Sequence, residues 1–349
     1  MSIRHMDGFE QYAAQADLGN TYVLTGAAVW GLSSDTPFGR GKSLACLQPA
    51  VNHNGLVRSI PQVPLGAYVG CGFRLKIVAY PYANDYRYLC RFLEGNTWHA
   101  GLHIDAGGFL ALYRSTAAVA GFSRPLLLDT WYHVEVRVKI GDADGEMEVR
   151  VNGETWGLVT GVDTRNGGQG IIDAVSLMQV NAATVNRNGS FLVDNWVVWD
   201  TEGTTNNTWV GDAEVLTIFP NADDALGTWV PNTGDAWDAI NDVGSDGDTT
   251  YISSETVGDE ATFGLEAPAV APANILAIGT SVVGRKSDSG TRSIQHGIVS
   301  GIDEALGPGS ALGTSYAASH AIFEADPATG DAWLAGAIGS LKTKIKVSA

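Results

Sequence analysis

A regular alternation of apolar and polar residues marks the middle of the first half of the chain. From Tyr132 to Ile140 every second residue is apolar, and the same alternation returns from Met147 to Val151. A period of two is typical of a strand with one buried and one solvated face. Residues 141–145 read Gly-Asp-Ala-Asp-Gly, a turn sequence, and Asn152-Gly153 begins another reversal. The pattern therefore predicts an antiparallel meander.

Further apolar runs flank this meander on both sides. Pro81, Gly95-Asn96 and Gly107-Gly108 separate the earlier runs, so that strands follow one another at the spacing of a β-sandwich. Even-numbered residues of two of these runs, including Tyr86, Tyr88 and Trp98, are expected on the inner face. The predicted strands are 69–80, 85–93, 97–104, 109–114, 171–180 and 191–199.

The periodic pattern is lost after residue 200. Asp200-Thr201-Glu202-Gly203 and the polar tract 204–208 indicate a domain boundary near residue 205. Beyond it, we expect paired strands over 273–285 and 291–302, a strand over 316–324 and a short helix over 331–341. We therefore divide the chain into an N-terminal anchor segment (1–12), a β-sandwich domain (13–205) and an acidic β-rich domain (206–349).

Three stretches resemble known families. The meander, together with Phe-Leu-Val-Asp-Asn-Trp-Val-Val at 191–198, resembles the laminin-G-like, concanavalin-type jelly roll. The opening Asp7-Gly8-Phe9-x-x-Tyr12 resembles tailed-bacteriophage virion proteins, and 211–251, which ends Asp-Gly-Asp-Thr-Thr-Tyr, resembles the C-terminal domains of phage tail-associated proteins. The resemblance implies an all-β chain, in which a jelly-roll sandwich precedes a second, smaller β-rich domain. This fold hosts lectins, glucanases, adhesion modules and virion proteins alike.

Composition agrees with this fold class and narrows the partners. The 349 residues suffice for two domains, and 43 glycines with only 17 % charged residues fit many short strands joined by turns. Acidic residues outnumber basic ones by 38 to 21, a net charge of −17, which argues against nucleic acid as a partner. Without a long apolar run or a secretory signal, we expect no membrane insertion and synthesis in a cytoplasm. The three cysteines are expected to be buried free thiols.

No catalytic motif stands out in the sequence. The glucanase branch of this fold carries Glu-x-Asp-x-x-Glu on one strand, and that string is absent. Glu146 and Glu148 fall on the solvated face of a strand and are interpreted as surface charges. His99 and His103 are about 13 Å apart on a strand, too far to share a metal ion, and are interpreted as two histidines on a polar face. We therefore expect a protein that is not an enzyme.

Calcium is the one cofactor for which the sequence offers candidates. A glycine-containing acidic loop in the second domain provides hard oxygen ligands, although Gly244 and Ser253 exclude an EF-hand. The alternative interpretation is a solvated acidic turn. The candidate ligands are Asp242, Asp246 and Asp248, with Asp194 at the rim of the first domain.

Aromatic side chains provide candidates for carbohydrate stacking. Four of them lie in or next to predicted strands, where packing in the core is the alternative role. They are Tyr80, Tyr82, Trp98 and Trp156.

Together these features favour a non-enzymatic structural component of a bacteriophage virion, in a tail, baseplate, fibre or capsid-attached position. Its expected role is assembly and host-surface attachment, its expected partners are other virion proteins and host-surface carbohydrate, and its expected form is a homo-oligomer. Its expected location is the virion, after synthesis in the host bacterial cytoplasm. The alternatives are a lectin-like adhesin for host-surface glycan and a glycan-degrading enzyme.

Overall fold

The structure is a computed structural model that describes residues 2–24, 30–46, 55–82, 86–179 and 189–349. It divides into two compact units, Met1–Phe9 with Tyr22–Val215, and Glu10–Thr21 with Leu216–Ala349. Relative to the predicted ranges, Glu10–Thr21 groups with the C-terminal part and 206–215 with the sandwich. Among the described residues, no helix is long and apolar enough to cross a membrane. The all-β fold class is confirmed.

The first unit is a sandwich of two antiparallel sheets. Sheet A contains β1 (Ile3–Asp7), β3 (Trp30–Ser33), β4 (Ser43–Cys46), β6 (Tyr68–Ala79), β11 (Trp131–Lys139), β12 (Gly145–Val151), β13 (Glu154–Val162) and β15 (Ser190–Asp200). Sheet B contains β2 (Val23–Leu24), β5 (Leu56–Val63), β7 (Tyr86–Glu94), β8 (Thr97–Asp105), β9 (Phe109–Arg114), β10 (Ala117–Pro125) and β14 (Ile172–Gln179).

The strand order is that of a jelly-roll sandwich. Sheet A runs β13-β12-β11-β6-β15-β4-β3, with β1 added against β15, and sheet B runs β10-β9-β8-β7-β14-β5-β2. The predicted meander is confirmed, since β11 pairs with β12 so that Val136 lies opposite Val149. Both valines are fully buried, as period-two alternation requires. The six other predicted strands correspond to β6, β7, β8, β9, β14 and β15.

The outer face of sheet A is covered by protein. The amide of Gly211 donates to Glu135 Oε1 at 2.9 Å, and the Trp209 ring lies 4.0 Å from the guanidinium carbon of Arg150. As a result Glu135 and Glu148 are only 2 % and 5 % exposed. The expectation that this face is solvated is wrong, because the segment 206–215 folds over it.

The second unit is built from short strands and one short helix. Its elements are α1 (Gln15–Thr21), β16 (Pro220–Ala225), β17 (Val230–Pro231), β18 (Ile252–Ser253), β19 (Glu260–Leu265), β20 (Ile278–Gly284), β21 (Ser293–Ser300), β22 (Asp303–Leu306), β23 (Ser310–Ala311), β24 (Ala317–Phe323), a 3₁₀ helix (Ala335–Ser340) and β25 (Lys342–Val347). A six-stranded sheet orders β16-β19-β25-β21-β22 with β23 on β21, and β17-β18 and β20-β24 form separate pairs.

Two local predictions for this unit need correction. β20 and β21 do not pair with each other, because β21 already has β25 on one side and β22 on the other. β20 pairs instead with β24. The predicted helix over 331–341 shrinks to the 3₁₀ turn Ala335–Ser340, in a segment where Gly336 and Gly339 disfavour a longer helix.

Candidate functional site

A cleft of about 520 Å³ opens on the outer face of sheet B. Its floor comes from β8, β9 and β10, whose inward residues, such as Leu102, Leu110 and Leu112, are fully buried in the sandwich. Residues that alternate with these on β8 and β9 therefore point outward. The cleft is lined by Tyr86, His103, Asp105, Ala106, Phe109, Leu110, Ala111, Tyr113, Gly121 and Phe122.

Arg91, Gly101 and Tyr113 lie in one row across three neighbouring strands. Arg91 is opposite Gly101, and Gly101 is opposite Tyr113. Adjacent strands are about 4.8 Å apart, so the Cα atoms of Arg91 and Tyr113 are separated by about 10 Å. A Cβ on Gly101 would lie 3.1 Å from Arg91 Cγ, so the missing side chain gives the arginine room to lie across the row. The row places a cation and a phenol on either side of a bare backbone position.

Arg91 is a buried cation without an acidic partner. Its Nε meets Ser176 Oγ at 3.5 Å, and its guanidinium lies over the rings of Tyr88 and Trp98, at 5.4 and 5.2 Å from their centroids. In the described part of the chain no carboxylate forms an ion pair with it. The residue as a whole is only 6 % exposed. Burial lowers the pKa of Arg91 to about 10, partly opposed by Tyr88, so the side chain stays cationic at neutral pH.

Most arginines in the described part of the chain have carboxylate partners, whereas the buried Arg87 and Arg91 have none there. The paired arginines are Arg4, Arg40, Arg74, Arg114, Arg124, Arg137, Arg150, Arg165 and Arg285. A buried charge is normally paired, because desolvation of a lone charge is costly. A buried guanidinium without a carboxylate partner, near a cleft, is therefore a candidate site for an anionic ligand.

His103 lies at the centre of an aromatic cluster. Its ring stacks on Tyr113 at 3.6 Å and on Tyr86 at 4.7 Å, and Tyr88 contacts it edge-on at 3.8 Å. Within the described residues, neither ring nitrogen has a hydrogen-bond partner. Burial, and secondarily the charge of Arg91, lowers the pKa of His103 to about 2. The imidazole is therefore neutral and supports the tyrosine rings without adding charge.

Tyr113 and Asp105 line the more open part of the cleft. Burial, followed by the neighbouring Tyr86 and Asp105, raises the pKa of Tyr113, so its phenol is protonated at neutral pH. The exposed Asp105 accepts the amides of Gly107 and Phe109 through Oδ1, at 2.8 and 3.0 Å. Chemically, the cleft lining offers the phenol of Tyr113 and the carboxylate of Asp105, while Arg91 lies nearby on β7 outside the lining.

Two β-bulges explain how aromatic residues reach this outer face. In the pairing of β7 with β8, Tyr88 is opposite His103 but Cys90 is opposite Leu102, so Leu89 is an extra residue. A bulge reverses which residues face the core. Tyr86 and Tyr88 consequently join His103 outside, whereas Cys90 is buried in the core.

A second irregularity places Trp98 in the same cluster. Phe92 is opposite Ala100 and Leu93 is opposite Trp98, which leaves His99 as the extra residue. The Trp98 ring then contacts Tyr88 edge-on, at 5.0 Å between centroids. The expectation that Tyr86, Tyr88 and Trp98 are inner-face residues is therefore wrong.

Trp98 is the one predicted glycan-binding residue that belongs to this cluster. Trp156 lies on β13 at the edge of sheet A, under Arg124 at 5.3 Å. Tyr80 donates through its hydroxyl to the Leu126 carbonyl at 2.7 Å, and Tyr82 is exposed. Carbohydrate binding by these four residues stays a prediction.

The predicted calcium ligands are engaged by protein groups. Asp242 and Asp246 both lie within hydrogen-bond distance of the Thr250 hydroxyl, at 2.9 and 2.7 Å. Asp248 accepts hydrogen bonds from Arg285 Nη2 at 2.8 Å and Tyr316 Oη at 2.7 Å. Among the described residues, no cluster of three or more acidic, histidine or cysteine side chains has the arrangement of a metal site. Calcium binding stays a prediction.

Asp194, the fourth candidate ligand, is buried under the outer face of sheet A. Burial, partly opposed by the amide of Asn195, raises the pKa of Asp194 to about 8. A carboxyl that is neutral at neutral pH is a poor ligand for a hard cation.

The sequence analysis missed Arg91, His103 and Tyr113 as functional residues. His103 was considered only with His99, and the two are separate: His99 Nε2 lies 3.1 Å from Glu94 Oε2 and receives the Asn166 amide on Nδ1. One signal was present in the sequence. Arg87 and Arg91 interrupt an otherwise apolar run, and charged residues within a buried strand often serve a site.

Comparison with known proteins finds distant similarity to solved structures. No protein-family model matches the chain, and no curated protein matches it. Solved structures similar to it include a sialidase, at 16 % identity and a TM-score of 0.41, over 56 % of this chain and 18 % of the sialidase. An alginate lyase matches at 17 % identity and 0.37, over 57 % and 95 % of the two chains. An endo-β-1,4-glucuronan lyase from the fungus Trichoderma reesei matches at 14 % and 0.37, over 52 % and 91 %.

These findings correct the expected function. The three named structures are enzymes by name, and none is a bacteriophage protein. The expectations of a virion component and of a protein that is not an enzyme are therefore wrong. Homo-oligomerisation, host-surface carbohydrate as a partner and the location in a virion are not tested and stay predictions.

Proposed function

We propose that the chain is a glycan-cleaving enzyme that acts on uronate-containing polysaccharide at the outer face of sheet B. The observation that carries this proposal is the buried guanidinium of Arg91, which lies one row position from Gly101 and two from Tyr113 and has no carboxylate partner in the described part of the chain.

A sugar carboxylate is the ligand that suits Arg91 best. The planar guanidinium binds carboxylates through parallel hydrogen bonds, and no carboxylate of the described residues occupies this one. The rings of Tyr86, Tyr113 and Phe109 border the adjacent space and offer apolar faces for sugar rings. A uronate bound on Arg91 therefore places its ring over Gly101, next to the Tyr113 phenol.

Elimination fits these residues better than hydrolysis. Hydrolysis of a glycosidic bond uses two carboxyl groups, an acid and a nucleophile or base. Among the described residues that line the cleft, Asp105 is the one carboxylate. Elimination next to a uronate needs a cation that neutralises the carboxylate and a group that moves one proton. Arg91 and Tyr113 supply these two functions.

The reaction follows from the order of the groups. Arg91 pairs with the sugar carboxylate, which makes the proton on C5 more acidic and stabilises the charge that develops when it leaves. The ionised Tyr113 takes this proton, the C5 electron pair forms the C4–C5 double bond, and the bond from C4 to the glycosidic oxygen breaks. Tyr113 then returns the proton to that oxygen. His103 is a positioning residue that holds the Tyr113 ring from below.

The test is incubation of the purified protein with acidic polysaccharides that contain glucuronate, mannuronate, guluronate or galacturonate, with neutral glucans as controls. The expected result is a rise in ultraviolet absorbance from the unsaturated uronate, together with new reducing ends, for an acidic polymer only. New reducing ends without that absorbance indicate hydrolysis and contradict elimination. Binding without cleavage of any polymer favours a lectin and overturns the proposal.

A further inference from the structure

Two groups of opposite charge, Arg91 and Asp105, lie beside and along the outer face of β8. On the outer face of β8, Gly101, His103 and Asp105 follow one another at every second residue. Gly101 and Asp105 are therefore about 13 Å apart along the strand. Arg91 lies beside the first position, and the carboxylate of Asp105 occupies the last. A cation thus lies beside the position where the uronate is proposed to bind, and a carboxylate lines the cleft farther along the strand.

Asp105 is an open acceptor. Its Oδ1 takes the amides of Gly107 and Phe109, at 2.8 and 3.0 Å. In the described part of the chain, no cation forms an ion pair with it. Its carboxylate lines the cleft together with Tyr113, and its charge contributes to the raised pKa of that phenol. Such a group binds sugar hydroxyls and repels a second sugar carboxylate.

The surroundings of Asp105 suit an uncharged sugar. Phe109 is 38 % exposed and lines the cleft together with Phe122. Phe122 is held in place against β13, because its ring occupies the space that a side chain on Gly157 would fill. A rigid aromatic surface beside a hydrogen-bond acceptor is a typical arrangement for a neutral sugar ring.

We infer that the substrate is a mixed polysaccharide in which a uronate is linked to an uncharged sugar, with the uronate on Arg91 and the uncharged sugar beside Asp105, Phe109 and Phe122. This inference rests on the proposed function and specifies its substrate. A polymer made of uronate alone places a carboxylate next to Asp105 and is a poor substrate. The net charge of −17 also favours a polymer with fewer carboxylates, since a negatively charged protein repels polymers of high negative charge density.

The test compares two forms of one polymer. A homopolyuronate is used as it is and after chemical reduction of about half of its carboxyl groups to hydroxymethyl groups, which preserves linkage and chain length. We expect kcat/KM for the half-reduced polymer to be at least about tenfold higher, measured as unsaturated product per uronate present. Equal or better cleavage of the unreduced polymer overturns the inference.

Variants assign the preference to Asp105. Asp105→Asn keeps an oxygen for the amides of Gly107 and Phe109 but removes the charge, and it is expected to raise kcat/KM for the unreduced polymer about tenfold. Asp142→Asn removes the same charge from an exposed position that pairs with Arg165, and it is expected to leave the ratio between the two polymers unchanged. An unchanged ratio in Asp105→Asn contradicts the assignment. If neither polymer yields unsaturated product, the proposed function itself fails.

Discussion

At the scale of single residues, the buried guanidinium of Arg91 lowers the stability of the fold, because its desolvation is not offset by a carboxylate. A buried guanidinium is normally compensated by a carboxylate, as Glu148 compensates Arg137 and Arg150 in sheet A. Arg91 receives only aromatic faces and a long contact to Ser176. Sites that bind charged ligands have this property, because the ligand provides the missing partner.

Arg91→Gln is expected to lower kcat/KM on a uronate-containing polymer by about 10²-fold or more, since the developing charge loses its main electrostatic partner. Arg150→Gln is the matched control, a strand arginine on the opposite sheet whose partner is Glu148. It is expected to retain wild-type kinetics. Equal losses in both variants, with melting curves that show folded protein, would mean that the effect is not specific to the cleft.

Tyr113→Phe is expected to lower kcat by about 10²-fold or more, because it removes the group that moves the proton and keeps the ring that stacks on His103. KM should change little, since the aromatic surface remains. Tyr82→Phe removes a hydroxyl from an exposed ring and is expected to have no effect. Substantial turnover by Tyr113→Phe would exclude the phenol as the proton carrier.

The pH dependence provides an independent check on Tyr113. Burial raises the pKa of this phenol, so only a small fraction is ionised at neutral pH. If the phenolate takes the C5 proton, kcat/KM rises with pH and continues to rise above about pH 10, the ordinary range for tyrosine. Initial rates across an alkaline series measure this. A rate that falls from pH 7 to pH 9 in folded protein would contradict the role of the phenolate.

Asp194 gives a prediction about stability. Its pKa is raised from 3.8 to about 8 by burial, so the folded protein holds this proton more tightly than the unfolded chain does. Because of this group, the free energy of unfolding decreases by about 5 kcal/mol in total as pH rises from about 4 to about 8. Asp194→Asn is expected to raise the melting temperature at pH 8 and to have little effect at pH 4. A lower melting temperature at pH 8 would show that the carboxylate stabilises the fold.

At the scale of elements, the alternation of apolar and polar residues in the sequence is sufficient to predict most strands of the sandwich. β11 and β12 follow it because one face of each packs in the core and the other carries charged residues. The same rule fails in β7 and β8, where Leu89 and His99 are extra residues in the pairing. A bulge depends on the partner strand, so the alternation of one strand does not reveal it.

The candidate site could not be predicted from the sequence for the same reason, because its residues depend on how neighbouring strands pair. Tyr88 and Trp98 occupy positions that strict alternation assigns to the core, and His103 has no neighbour in sequence that marks it as functional. The site forms only when β7, β8 and β9 lie side by side and bring Arg91, Gly101 and Tyr113 into one row. A site whose residues come from three strands can be predicted only when the pairing register between those strands is known.

Gly121 on β10 offers a test of the cleft as a whole. A side chain at this position meets no protein atom within 4 Å and points into the cleft. Gly121→Phe is therefore expected to block polysaccharide binding, with at least a tenfold loss of kcat/KM and an unchanged melting temperature. Thr160→Phe, at an exposed position on β13, is the control. Unimpaired cleavage by Gly121→Phe would place the active site elsewhere.

At the scale of the whole molecule, three histidines are buried in a neutral state. Burial is the largest cause in each case, and it lowers the pKa of His103 to about 2 and the pKa values of His133 and His296 to about 4. His103 and His133 belong to the first unit and His296 to the second. Acid therefore acts on both units by the same mechanism.

Acid stability is expected to follow from these three groups. The unfolded chain binds their protons below about pH 6.5, whereas the folded protein does not, so stability is lost as pH falls from about 6.5 to about 4. Each histidine contributes a slope of about 1.4 kcal/mol per pH unit in this range. The melting temperature is expected to fall between pH 7 and pH 5. Asp194 acts in the opposite direction, so Asp194→Asn is expected to steepen this fall.

His296 allows the contribution of one histidine to be isolated. Its Nδ1 lies 2.7 Å from the Thr280 hydroxyl and its Nε2 lies 2.9 Å from the Ser319 hydroxyl, so both nitrogens are satisfied by neutral groups. Gln at this position keeps a donor and an acceptor but binds no proton. His296→Gln is expected to reduce proton uptake on unfolding at pH 5 by about one proton, measured by calorimetry in buffers of different ionisation enthalpy. Unchanged uptake would mean that His296 is already charged in the folded protein, because a histidine protonated in both states takes up no proton on unfolding.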